Sequence, residues 1–168
     1  LYSGAQSSDS VLWDNGTTTV LTGLGRGSGI NSSGQVVASQ YLWDNGITTD
    51  LRNEPGGPGT KYNIGGSCIN DHGQVAGYFY KSKGDTWFPY IYEDGVVRNL
   101  NELIEDPNSD WTLLDVRCIS ESGMIVCWAQ YQDEIDNRQL LLLKPIDCNN
   151  NGNPDDWDIE DGSSLDLD

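Results

Sequence analysis

The sequence predicts an all-β protein made of repeated antiparallel units with short strands, and three observations carry that reading. One phrase returns three times: Ile30-Asn31-Ser32-Ser33-Gly34-Gln35-Val36, Ile69-Asn70-Asp71-His72-Gly73-Gln74-Val75 and Ile119-Ser120-Glu121-Ser122-Gly123-Met124-Ile125. Each is a polar turn closed by Gly between apolar β-formers, the pattern of a hairpin whose Gly supplies a positive φ. A second phrase is interleaved with it: Trp13-Asp14-Asn15-Gly16, Trp43-Asp44-Asn45-Gly46 and Tyr92-Glu93-Asp94-Gly95, an aromatic strand end running into an Asn-Gly or Asp-Gly turn. Finally, 20 Gly, 6 Trp and 8 Tyr in 168 residues suit a turn-rich β protein and not a helical bundle.

Taken in order, residues 10–13 and 17–21 flank the first Asn-Gly turn and read as the second hairpin of a unit whose first hairpin is missing. Unit two has expected strands near 29–31, 35–39, 41–43 and 47–51. Unit three repeats the order at 65–70, 74–80, 88–92 and 96–100. Unit four has 112–119, 124–130 and 139–143, with its final strand short or absent. Variation falls between strands, at 52–60, 81–86 and 102–110. The hairpin glycines Gly34, Gly73 and Gly123 lie 39 and 50 residues apart. Four short strands in about 40–50 residues is the signature of a propeller blade, which cannot bury both faces without stacked neighbours. The expected fold is therefore a β-propeller-like array of four-stranded antiparallel blades, three to four in this chain, over residues 1–145. Leu141-Leu142-Leu143-Lys144-Pro145 reads as a last buried strand stopped by Pro, which puts a domain boundary at 145/146.

The phrases INDHGQVAGYF and LWDNGITTDL resemble the HAF-type extracellular repeats of bacterial secreted proteins. The resemblance covers about residues 1–145 and implies propeller-like blades; the family carries no established general activity. This chain departs from it where Ser10-Val11-Leu12, Gln40-Tyr41-Leu42 and Pro89-Tyr90-Ile91 replace His-Ala-Phe, and where Ser120 and Met124 replace Asn and Gln.

Residues 146–168 carry the strongest chemical signal. In the run Asp147 to Asp158, oxygen-bearing side chains fall at loop positions 1, 3 and 5 (Asp147, Asn149, Asn151), with Gly152 at the sharp turn in position 6. Asn153 offers its backbone carbonyl at position 7, Asp155 an oxygen at 9 and Asp158 the closing carboxylate at 12. Calcium takes six to eight hard oxygens, and this loop supplies them. Pro154 suits the first position of a helix of about two turns that ends at Gly162, with Asn153 as its cap and Trp157 as its expected anchor onto the repeat domain or a partner. The segment resembles dockerin and thrombospondin-type-3 calcium repeats, which implies the same six ligands and a second loop begun at Asp166 and Asp168.

Charge and cysteines bound the function. Lys and Arg number 9 against 26 Asp and Glu, a formal charge of −17, which argues against nucleic acid and anionic membranes and favours cations or a basic partner. Eight of the acids lie in 147–168, which has no Lys or Arg. No apolar run reaches the ~18 residues of a membrane span. No signal peptide is visible, and the start at Leu1-Tyr2-Ser3 reads as processed or truncated. Cys68, Cys118, Cys127 and Cys148 lack Cys-x-x-Cys spacing and have only His72 for company, so zinc is disfavoured. An even count points to an oxidising compartment and one or two disulfides. Cys68 and Cys118 both stand directly before the repeated Ile, which makes them a candidate pair or, equally, two buried thiols.

Trp13, Trp43 and Tyr92 share one repeat position and are expected in the core between blades. Trp87, Trp111 and Trp128 lie outside it and are candidates for stacking on sugars. His72 sits in a hairpin turn, where a solvated role outweighs a catalytic one, and no pair of the many acids stands out as a glycosidase pair. No nucleophile elbow, P-loop or dinucleotide fingerprint occurs. The expected function is non-enzymatic: a secreted or cell-surface structural or adhesive protein, a subunit of a calcium-stabilised extracellular assembly or filament. Its expected contacts are self-association or a neighbouring extracellular protein, through an unpaired strand edge and the acidic tail. The alternatives are a carbohydrate-binding module and, less favoured, a fragment of an extracellular hydrolase.

Overall fold

The computed structural model describes residues 9–81, 87–104, 110–132 and 137–145. Thirteen strands form four antiparallel sheets among these residues. The first sheet is a hairpin of β1 (Ser10–Asp14) and β2 (Thr17–Leu21). The second runs β3 (Gly27–Ile30), β4 (Val36–Ala38), β5 (Tyr41–Asp44), β6 (Ile47–Asp50), each strand paired with the next. The third repeats that order with β7 (Asn63–Ile69), β8 (Val75–Tyr80), β9 (Trp87–Glu93) and β10 (Val96–Asn99). The fourth has three strands, β11 (Trp111–Ile119), β12 (Ile125–Tyr131) and β13 (Arg138–Leu143).

The turns follow the sequence closely. In the second hairpin of the second sheet, Asn45 and Gly46 both have positive φ (47° and 92°), as a two-residue primed turn requires. In the repeated phrase, Gly34 N–H donates to the Asn31 carbonyl (3.1 Å) and Asn31 N–H to the Gln35 carbonyl (3.1 Å), which closes the hairpin. Residues 70–74 and 120–124 repeat both bonds. The strand leading into each copy of the phrase carries a register shift just before it, between Gly27 and Gly29, Gly65 and Ser67, and Val116 and Cys118. Such bulges increase local twist and were not part of the sequence expectation.

Successive sheets stack face to face, and alternation along each strand decides which side chains meet. Leu12, Leu21 and Leu24 of the first unit meet Val36, Ala38, Tyr41 and Trp43 of the second. The opposite face of the second sheet, Val37 and Leu42, meets Val75, Phe79, Tyr90 and Val97 of the third. Phe79 and Tyr90 are fully buried and stack with ring centroids 4.3 Å apart; burial of a ring of this size contributes about 2–3 kcal/mol. The other face of the third sheet, with Cys68, Ala76 and Ile91, meets Val116, Ile125, Cys127 and Ala129 of the fourth.

The all-β, antiparallel, four-unit reading is borne out, and among the described residues the last unit has the three strands expected at 112–119, 124–130 and 139–143. Among the described residues a closed barrel or closed propeller is not seen, and only the second and third sheets have four strands. The calcium loop and helix expected in 146–168, and with them the far side of the 145/146 boundary, lie outside the described residues. The segment 52–60, expected as a variable connection, docks on the next unit: the Val97 N–H donates to the Pro55 carbonyl at 2.8 Å. Gly56 lies against that strand so closely that a Cβ there would sit 2.0 Å from the Val97 carbonyl oxygen.

Candidate functional site

The most elaborate polar arrangement is built on the repeated phrase. Asn31 uses its side-chain oxygen to accept from Gln35 N–H (2.9 Å), while its amide donates to Gln35 Oε1 (2.7 Å) and to the carbonyl of Asn70 (3.1 Å), one unit further on. Asn70 repeats the set: it accepts from Gln74 N–H (3.0 Å) and donates to Gln74 Oε1 (2.6 Å) and to the carbonyl of Ser120 (3.0 Å). The Asn amide therefore has two roles. It braces its own turn, and it latches that turn to the equivalent turn of the next sheet.

A parallel row runs one residue along. Ser32 N–H donates to Asp71 Oδ1 (2.6 Å), and Asp71 N–H donates to Glu121 Oε2 (2.7 Å). The bonds from Ser32, its backbone N–H foremost and its side chain next, hold the Asp71 carboxyl below its ordinary value, with His72 adding a smaller lowering. The glutamines join the two repeated phrases. Gln35 Nε2 donates to Asp44 Oδ2 (3.0 Å), and Gln74 Nε2 to Glu93 Oε2 (2.9 Å), a carboxylate that also takes Arg98. Asp44 and Glu93, the acids of the second and third copies of the aromatic-acid turn, are thus held by the Asn-x-x-Gly-Gln turns.

The ladder stops in unit four. Ser120 Oγ accepts from Met124 N–H (3.0 Å), reproducing the turn brace, but a hydroxyl at this position has no amide to send forward. Met124 likewise has no side-chain amide with which to hold an acid. From sequence alone, Asn and Gly of the phrase read as turn chemistry. The signal for the second role was the recurrence of Asn with Gln and of an acid in the partner phrase, lost together only in unit four.

The six residues expected to ligate calcium, Asp147, Asn149, Asn151, Asn153, Asp155 and Asp158, lie outside the described residues, as do Trp157, Asp166 and Asp168. Among the described residues no cluster of His, Cys, Asp and Glu could hold a metal ion. His72 is exposed in its turn.

The aromatic candidates divide. Trp43 and Tyr92 pack against the cores between sheets, as expected of their repeat position. Trp13 does not; it is 75% exposed, because it shares with Val11 and Val20 the face of the first sheet that points away from the second. Trp111 packs on the last core with its ring 5.0 Å from Tyr131, which leaves it poorly placed for a sugar. Trp128 is half-buried on the outer face of the fourth sheet, and the Trp87 side chain lies outside the described residues.

Cys68, Cys118 and Cys127 are free thiols. Strands β7 and β11 are neighbours, as a Cys68–Cys118 pair would require, and the Cys68 thiol donates to the Ala76 carbonyl at 3.4 Å. The two side chains nevertheless lie on opposite sides of β11. Cys68 faces the core shared by the last two sheets, whereas Cys118, opposite Val126, is exposed on the outer face. Burial is the main reason that the Cys68 and Cys127 thiols are each pushed up to about 11, so both are poor nucleophiles.

No helix among the described residues is long and apolar enough to cross a membrane. No known protein family, curated protein or solved structure matches the chain.

Proposed function

We propose that the stacked sheets are blades of a β-propeller-like array, and that the chain is a secreted or cell-surface structural or adhesive protein of bacterial type. It serves as a subunit of a calcium-stabilised extracellular assembly. The observation that carries this reading is the open face of the first sheet. Val11, Trp13 and Val20 are 58%, 75% and 56% exposed there, whereas Trp43 and Tyr92 occupy Trp13's repeat position in the next two units and are packed between sheets. Elsewhere in the molecule this face receives another sheet, so its natural occupant is a sheet of a second copy or of a neighbouring extracellular protein. The latches and buried stacks supply a scaffold, and the polar groups they use are paired with each other and not left to serve a reaction.

Calcium enters through residues 146–168. The spacing of Asp147, Asn149, Asn151, Asn153, Asp155 and Asp158 matches an oxygen-ligand loop, and the formal charge of −17 favours a divalent cation. The acidic tail and an unpaired strand edge are further contact surfaces. A flat ring as exposed as Trp13 also favours a second reading, a carbohydrate-binding module in which that ring stacks on a sugar.

Analytical ultracentrifugation of the full chain with calcium and with chelator tests the proposal. Self-association that requires calcium is expected, weakened by Trp13→Asp and abolished by Asp147→Ala with Asp158→Ala. A monomer at high concentration under both conditions overturns the assembly reading. Binding to a glycan array that Trp13→Ala abolishes, without self-association, transfers the function to the carbohydrate alternative.

A further inference from the structure

The stack of sheets ends in two exposed apolar faces of different kinds. Each inner sheet turns one side to the preceding sheet and the other to the next. The side turned to the next sheet carries the cross-strand pair Val37–Leu42 in the second sheet and Ala76–Ile91 in the third, all four residues buried. The side turned to the preceding sheet carries Trp43 in the second and Tyr92 in the third. In the fourth sheet the pair equivalent to Val37–Leu42 is Val126–Leu142, and here Leu142 is 54% exposed. Leu140, on the same side of β13, is 56% exposed, and its cross-strand partner Trp128 is half-buried. In the first sheet the exposed side is the other one: Trp13 holds the repeat position of Trp43 and Tyr92, beside the exposed cross-strand pair Val11–Val20.

We infer that these faces are two halves of one interface: the outer face of the fourth sheet of one copy packs on the open face of the first sheet of a second copy. This contact presupposes the self-assembly proposed for the chain and names its partner face. Three observations select that occupant. At each of the three junctions inside the molecule, the next-facing side of one sheet meets the preceding-facing side of the following sheet. Fourth sheet on first sheet repeats that order, whereas first on first or fourth on fourth would bring like sides together. The polar latches also stop where such a junction has no use for them. Asn31 and Asn70 reach forward to a carbonyl in the next repeat of the phrase. Ser120 has no amide to send, and among the described residues the first unit has no copy of the phrase to receive one. Lastly, the rims differ in charge. Exposed Arg138 lies two residues before Leu140 in β13, while exposed Asp9 and Asp14 bracket Val11 and Trp13.

Covering Trp13, Leu140 and Leu142 together removes apolar surface from water on both copies, which supplies the driving force. Because each copy offers a different face to each neighbour, the contact is head-to-tail, and assembly runs on as a filament unless the rotation closes it into a ring.

The test uses the full chain in calcium and two variants, each blocking one face: Trp13→Asp for the first sheet and Leu142→Asp for the fourth. Val20→Asp and Leu140→Asp form a second pair on the same faces. All four side chains are exposed, so strand content by circular dichroism is expected to match the parent. In analytical ultracentrifugation each variant alone should associate at least tenfold more weakly than the parent. An equimolar mixture of Trp13→Asp and Leu142→Asp should recover parent-like affinity but stop at dimers, since one copy keeps a working fourth sheet and the other a working first. With one variant isotope-labelled, native mass spectrometry should show those dimers to hold one copy of each. Parent-like association of Leu142→Asp alone, or of Trp13→Asp alone, means that one face pairs with itself; it overturns the head-to-tail contact while leaving self-assembly standing. A mixture that stays monomeric while the parent associates does the same. A parent chain that is monomeric in calcium overturns the contact and the assembly reading together.

Discussion

Replacing Asn70 by Ser separates the two jobs of the turn residue. The Asn70 side chain is 1% exposed and makes three hydrogen bonds: it accepts from Gln74 N–H and donates to Gln74 Oε1 and to the Ser120 carbonyl. Ser120 already demonstrates what a hydroxyl does at this position, since its Oγ accepts from Met124 N–H and stays within its own turn. Asn70→Ser therefore preserves the brace and deletes both donated bonds, including the one that reaches the next sheet. At about 1 kcal/mol for each bond, the expected loss is about 2 kcal/mol. Asn70→Ala also strands the Gln74 N–H, raising the loss to about 3–4 kcal/mol. Urea unfolding followed by tryptophan fluorescence is the assay. With a slope of about 2 kcal/mol/M, Asn70→Ser should lower the midpoint by about 1 M and leave the slope unchanged. The reciprocal change, Ser120→Asn, gives the amide no turn of a following unit among the described residues to latch and should stay within about 0.5 kcal/mol of the parent. An Asn70→Ser midpoint indistinguishable from the parent would refute the latch and return the residue to turn chemistry alone.

Two further predictions concern the backbone and the second row of latches. Gly56→Ala places a Cβ 2.0 Å from the Val97 carbonyl oxygen at a φ of +78°, so strain and overpacking together should cost about 3 kcal/mol or more by urea unfolding. Gly46→Ala, at a φ of +92° with nothing within 4 Å, should cost only about 1–2 kcal/mol; equal costs would contradict the close approach of 52–60 to β10. The Asp71 carboxyl is held below its ordinary 3.8 by the hydrogen bonds from Ser32. Its contribution is therefore full above that value and is lost as pH falls through the lower folded-state pKa. The stability difference between the parent and Asp71→Asn should accordingly be present at pH 7 and shrink in strong acid; a difference constant with pH would show that the carboxylate plays no part.

Much of the fold was legible because its determinants are local. An Asn-Gly pair at 45–46 or an Asn-x-x-Gly-Gln phrase at 70–74 sets φ angles and short-range hydrogen bonds within five residues, and three copies of each fix the order of hairpins. The bulges before each phrase and the docking of 52–60 on β10 were not legible, since they answer to contacts made by a neighbouring strand or sheet.

The candidate site divides along the same line. The residues expected to ligate calcium, between Asp147 and Asp158, are a linear pattern, readable without a fold and lying outside the described residues. The latch from Asn70 to Ser120 joins residues 50 apart and exists only because two sheets stack in register. Equivalent residues fared differently for the same reason: Trp13 and Trp43 occupy one repeat position, yet only Trp43 has a sheet in front of it. Cys68 and Cys118 likewise occupy one repeat position, but a stack carries equivalent side chains in the same direction, so the first points into a core and the second out of it. By itself, then, the sequence determined the repeat, its turns and the order of its strands, because these are set by residues within a few positions of one another. Only the tertiary structure decided which copies of a repeated side chain are covered, because burial depends on whether another sheet stacks against that face.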